Sequence, residues 1–290
     1  MRLAGKTPAG THRPVMVREI LEVLDPHRGD VAVDCTLGYG GHAEVLLGSI
    51  LPGGKLIGLD LDPTELNRTE KRLRGIGFGS DVLTVHPMNF AGLLKVLSEP
   101  VDLILADLGV SSMQLDDPQR GFTFREDGPL DMRMNPQRGI SAADWIARTT
   151  EFKLAELLAD NADEPQAERI AASICKAAPQ TTFQLAAAIQ DSSANEDAVR
   201  RVFQALRIAV NDEFGALQSF LHNLPLCVKP GASVAILTFH SGEDRRVKKM
   251  FQRMEQTMKL EDCGLVRASA EEIRSNPRSR SAKLRWLRFK

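Results

Sequence analysis

VAVDCTLGYGGH, residues 31 to 42, is the stretch on which the reading of this chain turns. Val31, Ala32 and Val33 form a short apolar run closing on the acidic Asp34, and the chain then becomes glycine-rich at Gly38, Gly40 and Gly41. Such a run reads as a buried strand entering a tight turn. His42 to Leu47 continues as a helix until Pro52-Gly53-Gly54 stops it. Strand, glycine turn and helix make the first unit of a doubly wound sheet. Glycine suits a turn where a ligand lies against backbone, because a Cβ would hold it away. Taken alone, the turn fits a plain strand-to-helix connection equally well.

The next strand separates the two readings. Lys55 to Asp60 (KLIGLD) is a second apolar run ending in a carboxylate about 20 residues beyond the first glycine, the position from which an acid reaches ribose hydroxyls. Counting from Gly38, the last glycine of a dinucleotide fingerprint is replaced by Ala43, which that pattern tolerates, so NAD stays open. No Arg or Lys lies in the turn, however, and the arrangement suits a cofactor without a pyrophosphate, such as S-adenosylmethionine.

Working outward, the 290 residues are 43% hydrophobic and 26% charged, as in an ordinary globular protein of one large domain or two modest ones. Cys35, Cys175, Cys227 and Cys263 are scattered, with no C-x-x-C spacing, and the six histidines show no metal-ligand spacing. Reduced thiols, no metal and a cytoplasmic setting are expected. No apolar run is long enough to span a membrane. The formal charge of −1 excludes a globally basic nucleic-acid binder. Its distribution is uneven: Arg274 to Lys290 carries seven basic residues and no acid, and Arg245-Arg246-Val247-Lys248-Lys249 adds a second cluster. Either cluster alone reads as a solvated face; together they point toward phosphate contacts.

The remaining pattern extends the alternation. An amphipathic helix over Pro14 to Leu24 leads in, a charged helix spans Pro63 to Arg74, a third strand covers Val82 to Val85, and Val101 to Asp107 (VDLILAD) is a fourth strand ending in a carboxylate. Leu108 to Gly139 then reads as a long loop, of a length that tends to be functional, with Phe122 and Phe124 beside Arg120 and Arg125 as candidates to meet a base or a phosphate. Ser141 to about Leu224 is helical throughout. A fifth strand, Ala232 to Thr238, runs into His240, and Gly264 to Ala268 and Lys283 to Phe289 supply two antiparallel edge strands. Ligands of such sheets lie beyond the carboxyl ends of the strands, so Asp34, Gly38 to His42, Asp60, Phe90, Asp107 and His240 converge on one crevice. Phe90 reads as core or as a face for an adenine. Asp107, at the tip of an apolar strand, needs a donor or a cation.

The segments HRPVMVREIL, LGYGGH, GLDLDP, DLGVSSMQLDDPQRGFTFREDGPLDMRM, TFHSGEDRRVK and NPRSRSAKLR closely resemble the MraW family of S-adenosylmethionine-dependent methyltransferases, which act on the N4 amine of a cytidine in small-subunit ribosomal RNA. The blocks run from His12 to Arg285. The resemblance implies a class I, Rossmann-like α/β methyltransferase fold with a doubly wound, mostly parallel sheet and an inserted all-helical domain. Residues 1–115 and 216–290 are expected to form the methyltransferase domain, and 116–215 the substrate-recognition insert. It implies S-adenosylmethionine contacts at Gly40, Gly41, His42, Asp60, Phe90, Asp107 and Gln114. Asp107 is the catalytic candidate. The implied partner is small-subunit RNA in an assembled or nearly assembled subunit, with the oligomeric state open, a homodimer included. Tyr39, Thr238 and Gly242 depart from the family's usual residues. A cofactor-binding assembly factor, or a methyltransferase for another RNA or for DNA cytosine, are the competing readings.

Overall fold

The computed structural model describes residues 13 to 290 apart from positions 194 and 196; His12, with which the first resembling block opens, and the start of the domain expected from residue 1 lie outside the described residues. Two compact units are present, Val110–Phe214 and a second in which the chain up to Gly109 joins Gly215–Lys290. No helix among the described residues is long and apolar enough to cross a membrane.

In the sheet unit, α1 (Val17–Leu24) leads to β1 (Val31–Asp34), α2 (Gly41–Ile50), β2 (Lys55–Asp60), α3 (Pro63–Gly75), β3 (Leu83–Pro87) and β4 (Val101–Asp107). The helical unit holds α4 (Ser112–Asp116), α5 (Ala142–Arg148), α6 (Glu151–Ala162), α7 (Ala167–Ala177), α8 (Thr182–Ser192) and α9 (Asp197–Asn211). The chain then continues through α10 (Glu213–Cys227), β5 (Val228–Thr238), α11 (Ser241–Thr257), β6 (Leu260–Arg267), α12 (Ala270–Ser275) and β7 (Lys283–Phe289). The seven strands stand in the order β3-β2-β1-β4-β5-β7-β6. The first five are parallel, and β7 runs antiparallel between β5 and β6. Strand order reverses between β1 and β4, and that reversal opens a crevice at the carboxyl edge.

Side-chain alternation divides the core into two layers. Ala32 of β1, Leu103 and Leu105 of β4, and Ala235 and Leu237 of β5 face one layer with Ile20, Leu46, Leu47 and Leu73. Val33, Ile104, Ala106, Val234 and Ile236 face the other with Leu221, Leu224, Val247 and Phe251. Both faces are covered, which is why these strands read as unbroken apolar runs. The helical run of the sequence therefore serves two cores: α10 contributes Leu217, Phe220, Leu221 and Leu224 to the sheet, whereas α6 to α9 pack on one another through Leu158, Ile170, Ile189 and Leu206. Ser141, Thr150 and Thr181 cap their helices by accepting from the backbone amides of Asp144, Lys153 and Gln184.

The long loop is more ordered than its composition suggests. Ser111 and Gln114 close a capping box around α4, and a single turn of 3-10 helix spans Pro118–Arg120. Arg120 donates to the carbonyls of Arg133 and Met134 at 3.0 and 2.9 Å, and Arg133 grips Asp131 through two hydrogen bonds of 2.8 and 2.7 Å. Phe122 is buried in the helical core, and Phe124 packs edge-on against Phe203. The expectation that Phe122 and Arg120 face a nucleotide is thus corrected, since one fills a core and the other braces the loop.

Candidate active site

The glycine turn is built from both sides. The Gly40 amide closes the turn on Leu37 O at 2.7 Å, and the Gly38 amide donates to the Asp60 carboxylate at 2.7 Å, tying the end of β2 to the turn after β1. Gly40 sits at φ 80°, and a Cβ there would come within 2.7 Å of Thr69 Cγ2. From α3, the Thr69 hydroxyl donates to Gly38 O, and Arg72 donates to Tyr39 O while lying over the Tyr39 ring. No sequence signal marks Thr69 or Arg72, because both meet the turn from more than 30 residues away.

The strand tips carry three carboxylates and a histidine. Asp34 accepts from the Thr36 amide at 3.1 Å, and Asp60 accepts at its second oxygen from the Asp62 amide at 2.8 Å. Thr36, unremarked in the sequence, accepts the Asp107 amide proton at its hydroxyl at 2.7 Å and so fixes the tip of β4 against that of β1. His42, in the first turn of α2, is 8% exposed, and its Nε2 stands 3.5 Å from Asp107 Oδ2. His42 Nε2 and Asp107 Oδ1 are buried and make no hydrogen bond among the described residues. Buried polar atoms normally have partners. This pair fits a polar, cationic ligand held at the tips of β1 and β4.

Burial pushes the carboxyls of both Asp34 and Asp60 up to about 6; the proximity of His42 opposes the rise at Asp34, and backbone donors oppose it at Asp60. Asp34 also feels the neighbouring Asp60 and Asp107, which raise it further. A site holding this much negative charge favours a cation. Phe90 opens a turn of 3-10 helix after β3, with Asn89 capping it by accepting from the Ala91 amide, and its ring meets that of Phe220 edge-on at 5.4 Å. Gly40, Gly41, His42, Asp60, Phe90 and Asp107 thus all belong to the sheet unit. Gln114 lies in the helical unit, buried in α4. His240 sits at the tip of β5, where it caps α11 by accepting from the Glu243 amide.

The family model for the MraW methylase family matches residues 9–290. The chain belongs to that family. A ribosomal RNA small subunit methyltransferase H 2 of Alkaliphilus metalliredigens is 46% identical, over 97% of this chain and 86% of the relative. The protein of the same name from Acholeplasma laidlawii is 47% identical, with the same coverage of both chains. A methyltransferase H 1 of Lachnoclostridium phytofermentans is 44% identical over 97% of this chain and 82% of its own length. Membership of this methylase family and the doubly wound sheet agree with the methyltransferase fold expected from the sequence.

Proposed function

We propose that this protein methylates the exocyclic N4 amine of a cytidine in small-subunit (16S) ribosomal RNA, with S-adenosylmethionine as donor and an assembled or nearly assembled subunit as substrate, in the cytoplasm. The observation that carries the reading is Asp107: a carboxylate at the switch point of the sheet, fixed through its amide by Thr36, with one buried oxygen that no described group satisfies. Family membership supports methylation of small-subunit ribosomal RNA, and the strand-tip carboxylate supports an amine as the acceptor.

S-adenosylmethionine, when bound, supplies an electrophilic methyl group on a positively charged sulfur. Gly40, Gly41 and His42 would hold its amino-acid end, Asp60 its ribose hydroxyls and Phe90 its adenine. Gln114 joins this set on the family motif alone. The acceptor amine is a weak nucleophile, because its lone pair is delocalised into the cytosine ring. Asp107, by accepting a hydrogen bond from that amine, returns density to the lone pair, stabilises the positive charge that grows on nitrogen and takes the proton that nitrogen gives up as the methyl group is transferred. The carbonyls of Leu108 and Gly109 are the further acceptors in this assignment, and Gly109, at φ 99°, has open space where a Cβ would be. Methylation at a ring carbon would instead need a nucleophilic thiolate. Burial pushes all four thiols up, Cys35 well above its ordinary value and Cys227 to about 11, which supports the amine as acceptor.

Nucleoside mass spectrometry after incubating the protein with labelled S-adenosylmethionine and undermethylated small subunits tests the reading, with free ribosomal RNA and duplex DNA in parallel. Label is expected in N4-methylcytidine from the subunits. Label confined to DNA or to another nucleoside would overturn the substrate, and intact cofactor binding with no transfer would favour an assembly factor.

The carboxyls also set a pH dependence. A ribose hydroxyl donates well to the ionised form of Asp60 and poorly to the protonated one, so cofactor affinity should hold above pH 7 and weaken as pH falls through about 6. Folding acts in the opposite direction. Between the ordinary value of 3.8 and about 6, the folded state takes up protons at Asp34 and Asp60 that the unfolded chain does not. These two groups therefore add stability on mild acidification. Calorimetric titration of S-adenosylmethionine from pH 8 to 5, beside melting curves, separates the two effects. An affinity that stays flat across this range would show that Asp60 does not hold the ribose.

A further inference from the structure

The carboxyl edge of the sheet carries a second concavity that the assignment above leaves unused. A cavity of about 420 Å³ opens at the end of β5, lined by Phe239, His240, Arg267, Arg280 and Lys283 among others. Strand register gives its distance from Asp107, because Asp107 pairs with Leu237, Thr238 pairs with Lys283, and Lys283 pairs with Arg267. With neighbouring strands about 4.8 Å apart, these tips lie roughly 5 to 15 Å from Asp107. That is the reach of nucleotides flanking a base whose amine is held at Asp107.

The basic residues around this edge differ in how they are engaged. Lys283 and Arg285 donate to Asp244 at 2.6 and 2.7 Å, and Arg288 donates to Ser233 and to the carbonyl of Val23. Those three hold the edge strand in place. Arg267 and Arg280 are exposed at the cavity, and neither forms an ion pair among the described residues. Of the acids in the first turn of α11, Asp244 is engaged by Lys283 and Arg285, and Glu243 by His240 and the Phe239 amide. Ser241, the first residue of the 17-residue α11, lines the same cavity, so the positive end of a long helix adds to the field. Guanidinium groups match phosphate with two parallel hydrogen bonds, and an aromatic wall suits the sugar or base face of a single strand.

We propose that this cavity binds a phosphodiester of the substrate RNA beside the nucleotide being methylated, with Arg267 and Arg280 as its phosphate contacts. The assignment rests on the RNA methyltransferase reading and deepens it by naming where the flanking backbone is held.

The test is the affinity of a short fluorescein-labelled single-stranded RNA, followed by anisotropy over a salt series. It is run on the full chain and on Arg267→Ala, Arg280→Ala and the double variant, with Arg→Gln versions keeping side-chain bulk. Each single change is expected to raise Kd by roughly three- to tenfold. The double variant should lower the slope of log K against log salt by about 1.4, or 0.7 for each lost phosphate contact on a single strand. Its affinity for S-adenosylmethionine, at the other tips, should be unchanged. Unchanged Kd and slope in the double variant overturn the proposal. So does calorimetric binding of inorganic phosphate that needs both arginines while RNA affinity does not, since the cavity would then serve a free ion. If subunits accept no methyl group yet RNA binding still depends on the two arginines, the catalytic reading fails and the cavity assignment stands.

Discussion

Replacing Asp107 with alanine is expected to lower the single-turnover rate of methyl transfer by roughly 10²- to 10⁴-fold, the range that a positioned proton acceptor contributes. Stability should move the other way or not at all. Asp107 Oδ1 is buried without a partner among the described residues, and removing such an oxygen removes a desolvation cost rather than a bond. The backbone contact that fixes the strand tip, from the Asp107 amide to Thr36, does not involve the deleted side chain. Loss of activity with an unchanged or raised melting temperature is the signature of a group kept for function. Asp107→Asn sharpens the test. It keeps the volume but exchanges one acceptor for a donor, so it should leave the fold intact and still lose most of the rate. A turnover within a few-fold of the unaltered enzyme in either variant, with cofactor binding normal, would remove Asp107 from the reaction.

Much of this site could be read from the chain because its parts are local. Strand, glycine turn and helix follow one another within residues 31 to 50, and the acids at Asp34, Asp60 and Asp107 mark the strand ends by interrupting apolar runs. The reading failed where the deciding partner is remote. Helical periodicity shows that α10 has an apolar face but not that the face meets the sheet instead of the helices before it. The arginine-rich loop looked ready for a nucleic acid, yet Arg120 and Arg133 are consumed in bracing the loop itself. Likewise, Lys283 and Arg285 find Asp244 across about 40 residues of sequence, so part of a run that reads as uniformly basic is spent on holding the edge strand. Thr36, a small polar residue after the first strand, gains its importance only when β4 is laid beside β1.

Phe220 offers the other large effect, and it links packing to the site. Its side chain is 1% exposed in the layer formed with Leu217, Leu221, Leu224, Val234 and Ile236, so Phe220→Ala should cost about 3–5 kcal/mol through lost burial and the cavity left behind. Because the chain has two units, the loss belongs to the transition of the sheet unit, resolved by calorimetry or by hydrogen exchange along β4 and β5. The second consequence is at the ligand. Phe220 is the edge-on partner of Phe90, with ring centroids 5.4 Å apart and planes at 68°, and it holds that ring in one orientation. Losing it lets Phe90 sample others, so S-adenosylmethionine affinity should fall even in protein that remains folded. Phe220→Leu, which fills most of the volume but offers no ring, separates the two effects: stability should largely return while affinity stays low. A double-mutant cycle with Phe90→Leu then measures the contact itself, for which aromatic pairs give about 0.5–1.5 kcal/mol. Coupling near zero would mean that Phe90 is oriented by the turn capped at Asn89 alone, and that the layer beneath it supports the sheet without shaping the site.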